Sequence, residues 1–179
     1  IVSQFDSVII QALNDNCETP QDLNLKLIET YNILSACVES GIKKVVMIST
    51  LSVIESYKKG FTVTEKWKPT PNTNINLLTV HLAEMIFKEF ARTFPFQKIL
   101  LRAGFPFIDS NRTIENFGSG ISHGDFIGSV NQIINTEFNE RYEIIHVQSE
   151  GSKQQFLTDK YKKINSLTGK HEQAFYTPK

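Results

Sequence analysis

Apolar positions in this chain follow two alternating rhythms. Residues 7–12, Ser-Val-Ile-Ile-Gln-Ala, form a short apolar run between Asp6 and a polar stretch at Asn14, Asp15 and Asn16. A run of this length with polar ends predicts a buried strand. Thr19-Pro20 then opens a helix, with Thr19 as N-cap and Pro20 at the first helical position. Leu23, Leu27, Tyr31, Leu34 and Val38 follow at steps of three and four, one apolar stripe that Gly41 closes. Residues 43–49 make a second apolar β run, and 55–76 is polar, with Gly60, Pro69 and Pro71. That stretch predicts a loop, and loops of this length usually serve a site.

Leu78, Leu82, Met85, Ile86 and Phe90 mark a second amphipathic helix, and 97–102 a third strand. Residues 103–124 read as irregular. Asp125 opens a helix through Phe126, Val130, Ile133 and Ile134, residues 142–147 are a fourth β run, and 151–169 reads as helical, with Phe156, Leu157, Tyr161 and Ile164 apolar. Strand, helix, strand at these lengths is a βαβ unit, which builds a parallel sheet. The expectation is an α/β fold, a Rossmann-type parallel sheet with helices on both faces. No internal repeat interrupts it.

At 179 residues, 40% hydrophobic and 21% charged, the chain fits one domain with a real core. Its net charge of zero calls for neither nucleic acid nor an anionic membrane. The basic group Lys160, Lys162 and Lys163 reads as a solvated helix face. No apolar run approaches the ~20 residues of a membrane span. Two cysteines, Cys17 and Cys37, with no C-x-x-C, fit buried thiols in a reducing compartment, so the cytoplasm is expected. No cluster reads as a metal site.

The order of segments resembles the extended short-chain dehydrogenase/reductase superfamily of NAD-dependent epimerases and dehydratases, and within it the uronate dehydrogenases. The resemblance is carried by the strand 6–12 with Asn24 in the next helix, by Gly41-Ile42-Lys43-Lys44-Val45-Val46-Met47-Ile48-Ser49-Thr50, and by Leu101-Arg102. It continues in Ile121-Ser122-His123-Gly124-Asp125-Phe126 and in Val147-Gln148-Ser149. It covers nearly all of 1–179 and implies one domain, with a sheet-and-helix core in 1–102 and a substrate-side segment in 103–179. It also implies that the N-terminal Gly-rich βαβ portion, which would hold a dinucleotide pyrophosphate, belongs roughly 60 residues upstream of Ile1. No G-x-G-x-x-G occurs in the chain, and Gly118-Ser119-Gly120 reads as a flexible loop. The cofactor expected is NAD or NADP if that upstream half is present, and none otherwise. Ala12 would lie beside the nicotinamide ribose, and Ala103 and Gly104 beside the nicotinamide ring.

In this superfamily a tyrosinate acts as base on the substrate hydroxyl, and a lysine four residues later lowers its pKa and holds the ribose. A Ser or Thr at the preceding strand end binds the substrate oxygen. Thr50, with Ser49 beside it, takes that last place, either orienting a substrate or simply ending a strand and bonding loop backbone. Counting back from Glu84 puts Asn76 at the Tyr position and Val80 at the Lys position. Neither can act as a base near neutral pH, and no tyrosine lies between Tyr57 and Tyr142. His81 is the nearest titratable substitute, or an ordinary satisfied side chain. Leu51-Ser52 and Phe105 replace residues that grip a uronic acid. Arg112 matches the Arg that would hold a sugar carboxylate, or is an exposed loop residue.

Two readings follow. One is a catalytically degenerate relative that binds or builds. The other is an active NAD(P)-dependent oxidoreductase or epimerase on a sugar, uronic acid or nucleotide sugar, with Thr50 and His81 in its site. A homodimer or partner subunit would cover the apolar edge at residues 7–12, which the absence of three upstream strands leaves open.

Overall fold

A computed structural model describes residues 4–13, 17–107, 119–149 and 155–172. The elements run in chain order β1 (Ser7–Gln11), α1 (Pro20–Glu39), β2 (Lys44–Thr50), a 3-10 turn (Leu51–Ile54), α2 (Ile75–Thr93), β3 (Gln97–Ala103), β4 (Phe105–Phe107), β5 (Gly120–Ser122), α3 (His123–Asn135), β6 (Tyr142–Val147) and α4 (Asp159–Glu172). Strands β1, β2, β3 and β6 form one parallel sheet in that spatial order. This is the Rossmann-type arrangement expected from the apolar rhythm.

Alternation along the strands divides the core. Ile10, Val45, Met47 and Leu100 face α1 and α2, where they pack with Leu34, Ala83 and Phe87. Val46, Ile99, Leu101 and Ile145 face the other way, against Ile133 of α3, with Tyr161 and Ile164 of α4 at the margin. Helices therefore cover both faces, and β2 and β3 read as near-continuous apolar runs because both faces are buried. Among the described residues β1 pairs only with β2. Its second face is open: Ile9 is 46% exposed.

Helix ends are fixed locally. Thr19 Oγ1 accepts the Asp22 N–H at 3.2 Å, and Asp22 accepts the Thr19 N–H at 2.9 Å, a reciprocal capping box. Gly41, at φ 68°, takes the left-handed position just past α1. Two strand lysines close two further helices. Lys98 Nζ donates to the carbonyls of Phe94 and Phe96 at 2.8 and 2.6 Å, at the end of α2. Lys44 Nζ donates to those of Ile134 and Thr136 at 2.8 and 2.6 Å, at the end of α3.

Three segments differ from expectation. The stretch 103–124, expected to be irregular, contains β4 and β5, which pair in parallel. Helix α3 begins at His123, because Ser122 Oγ accepts the Asp125 N–H at 3.1 Å and so caps three residues earlier. Where helix was expected from 151, Phe156 bridges Val63 as extended backbone, with Val63 N–H donating to Gln155 O at 2.7 Å and Leu157 N–H to Val63 O at 2.9 Å. The helix starts only at Asp159, since Phe156 must enter the core as an extended residue. Cys17 and Cys37 are both free and buried. No helix of the described residues is long and apolar enough to cross a membrane.

Candidate functional site

In an open parallel sheet, ligands bind beyond the carboxyl ends of the strands. Ala12, Thr50, Ala103 and Gly104 all lie at that edge. Ala12 donates its N–H to Ile48 O at 2.9 Å just past β1, and Thr50 pairs with Ala103 in the β2–β3 register. Gly104 N–H donates to Val147 O at 2.9 Å. The chain also needs glycine there: a Cβ would lie 2.3 Å from Ser119 O, because the strand leading into β5 passes against it. Helix α2 runs back from this edge, so its first turn lies beside the strand ends. Arg112 is outside the described residues.

The hydroxyls at the end of β2 are both engaged. Thr50 Oγ1 accepts the Ser52 N–H at 3.2 Å and caps the 3-10 turn. Ser49 is buried and donates to Glu84 Oε1 at 2.6 Å. Glu84 also takes Arg102 in a two-pronged pair, Nε to Oε1 at 3.0 Å and Nη2 to Oε2 at 2.7 Å. Arg102 is only 2% exposed, so this pair is sealed from water. Bidentate geometry and the extra Ser49 bond are what make such burial tolerable. Sequence reading used Glu84 only as a landmark and missed the Ser49–Glu84–Arg102 cluster. Its signal was available: Arg102 shares the inward parity of Leu100 in an apolar strand, a buried cation that must have a partner.

Asn76 is exposed in the first turn of α2, where Asn74 Oδ1 accepts its N–H at 3.0 Å. Val80, one turn on, is 1% exposed and packs in the core. Neither offers a titratable group. His81 lines a cavity of about 170 Å3 between α2, residues 65–69, β3 and β6; Thr50, Ala103 and Gly104 are not among its lining residues. The structure thus gathers Ala12, Thr50, Ala103 and Gly104 at one edge and gives His81 to another surface.

Two further buried groups went unread in the sequence. His146 is fully buried on β6, and burial, with Arg102 nearby, holds its pKa down to about 3. Burial pushes the Glu65 carboxyl pKa up, against bonds from its own backbone N–H and that of His146. Among the described residues no group of three or more His, Cys, Asp or Glu could hold a metal ion.

Among the described residues no turn makes a phosphate cradle for a dinucleotide. The chain's only Gly-x-Gly ends at Gly120, which is paired to Phe105 in the small sheet rather than opening a phosphate-binding turn.

The fold is a Rossmann-type α/β scaffold, and solved structures share it. The chain is similar to glucuronic acid dehydrogenase from Chromohalobacter salexigens, at TM-score 0.75 and 14% identity, over 99% of this chain and 70% of that one. It is similar to UDP-N-acetylglucosamine 4-epimerase from Bacillus cereus, at TM-score 0.66 and 20% identity, over 93% of this chain and 65% of that one. It is similar also to MoeE5 in complex with UDP-glucuronic acid and NAD, at TM-score 0.66 and 15% identity, over 93% and 63%. The chain therefore spans about two thirds of these proteins' length. The likeness is one of fold, the parallel α/β arrangement that the segment order led one to expect. No family model and no curated protein matches the sequence.

Proposed function

We propose that this chain is an epimerase- or dehydrogenase-like protein that has lost hydride-transfer turnover and serves as a binding or structural subunit, with a sugar or nucleotide sugar as its ligand class and NAD(P) only where a Gly-rich half completes the fold. The observation that carries it is the pair Asn76 and Val80: an amide that cannot act as a base, and an aliphatic side chain 1% exposed in the core. The bonded hydroxyls of Ser49 and Thr50 support the same reading, since both have backbone or side-chain partners within the chain. The ligand class is carried over from proteins of similar fold. Two buried free thiols fit the reducing cytoplasm.

A second reading, an active oxidoreductase, is favoured by one observation: Ala12, Thr50, Ala103 and Gly104 lie together at the carboxyl ends of the strands, where open parallel sheets bind ligands. The test is reduced-nicotinamide absorbance near 340 nm with NAD and NADP and a panel of sugars and uronic acids. Turnover that Thr50→Ala abolishes would establish the second reading.

The open edge of β1 belongs to the proposal as well. An apolar strand with unpaired backbone invites another strand, so a βαβ unit from further chain, a second copy or a partner subunit covers it.

A further inference from the structure

We propose that the cavity between α2, residues 65–69 and strands β3 and β6 is a binding site for a small oxyanion, a carboxylate or a phosphate. Three buried polar atoms from three different elements lack a partner within the protein: Glu65 Oε1, His81 Nδ1 and Arg102 Nη1. All three residues line this one cavity. Buried polar atoms are normally bonded, and three orphans around one void mark a missing partner. Arg102 Nη1 is the part of the guanidinium that Glu84 leaves free, on a side chain 2% exposed.

Charge chooses the ligand. Glu84 is neutralised by Arg102 at 2.7 Å, which leaves Glu65, whose carboxyl pKa burial raises, as the one other carboxyl of the lining against three lysines. Lys66, Lys68 and Lys88 line the mouth and are exposed. The surroundings are thus positive and rich in donors, which suits an anion with several acceptor oxygens and repels a metal ion. Size agrees. About 170 Å3 is far above the ~10–15 Å3 needed for one water. It is also below the ~300–1,000 Å3 of a drug-sized ligand site. Water alone would fill the space but leave the positive charge unanswered.

Trp67, the only tryptophan in the chain, lines the cavity and reports on it directly. The experiment titrates the protein with inorganic phosphate, and separately with acetate, at constant ionic strength set by potassium chloride, and follows Trp67 fluorescence. A saturable change in at least one arm is expected, and the arm that responds names the oxyanion. Affinity is expected to fall at least about fivefold in Lys66→Gln/Lys88→Gln, whose side chains are exposed, and in His81→Leu. A response no different from chloride overturns the proposal. So does an affinity unchanged in both variants, each first shown to melt cooperatively.

Discussion

Glu84 joins three elements through one carboxylate: its own helix α2, Ser49 at the end of β2 and Arg102 on β3. Removing it strands a guanidinium that is 2% exposed. Glu84→Ala should therefore lower unfolding free energy by about 3–5 kcal/mol, read from the urea midpoint at unchanged slope. Gly104 has a steric role of comparable weight. A methyl there would meet Ser119 O at 2.3 Å, whereas one at Gly128, inside α3, meets nothing within 4 Å. Gly104→Ala should destabilise by about 1–3 kcal/mol, and Gly128→Ala should stabilise by about 0.5–1 kcal/mol, both measured by thermal or chemical melting. His146 makes a third prediction. Its folded pKa of about 3 lies below the unfolded value of 6.5, so the unfolded chain takes up the proton first. Stability from this group is complete above pH 6.5 and falls as pH drops toward 3, by at most about 1.4 kcal/mol per pH unit. His146→Phe should flatten the stability profile between pH 6.5 and about 4; an unchanged slope counts against the assignment. Most of this was hidden in the sequence, because period-2 alternation announces which residues point inward but not which partner an inward charge will find.

At the level of elements, apolar rhythm alone located the main strands and helices of the sheet, since runs buried on both faces and stripes at steps of three and four are strong signals. The N-terminus of α1 was legible residue by residue: Thr19, Pro20 and Asp22 form the capping box that their types imply. Thr19→Ala should cost about 1 kcal/mol, measured as a shift in melting midpoint, with Thr19→Asn close to wild type. Less legible was the end closed from afar. Lys98 caps α2 from four residues on, whereas Lys44 caps α3, on the opposite face of the sheet, across 90 residues of chain. A lysine at the start of a strand gives no hint of that reach. Segment 155–158 misled for a related reason. Its apolar residues fit a helical stripe, yet Phe156 is held extended by Val63 from the far loop. The parallel pairing of β4 with β5 likewise depends on residues distant in sequence.

The whole molecule is a Rossmann-type parallel sheet with helices on both faces, and the proposed loss of turnover rests on what stands at Asn76 and Val80. The frame was legible because segment order is a long-range pattern. The residue types at Asn76 and Val80, on which the proposed function rests, were legible too, and the structure adds that one is exposed and the other sealed in the core. The engaged state of Ser49 and Thr50 was not legible: a hydroxyl at a strand end reads alike whether it waits for substrate or bonds the chain. The open edge at β1, with Ile9 46% exposed, makes cover by further chain, a second copy or a partner subunit the proposed state in solution. A monodisperse monomer that melts cooperatively as these residues alone would contradict that expectation. Loss of hydride transfer is tested most directly by absorbance near 340 nm with NAD and NADP across sugars, uronic acids and nucleotide sugars. No turnover is expected, with Thr50→Ala indistinguishable from the parent. Reduction of the cofactor that requires Thr50 would contradict it.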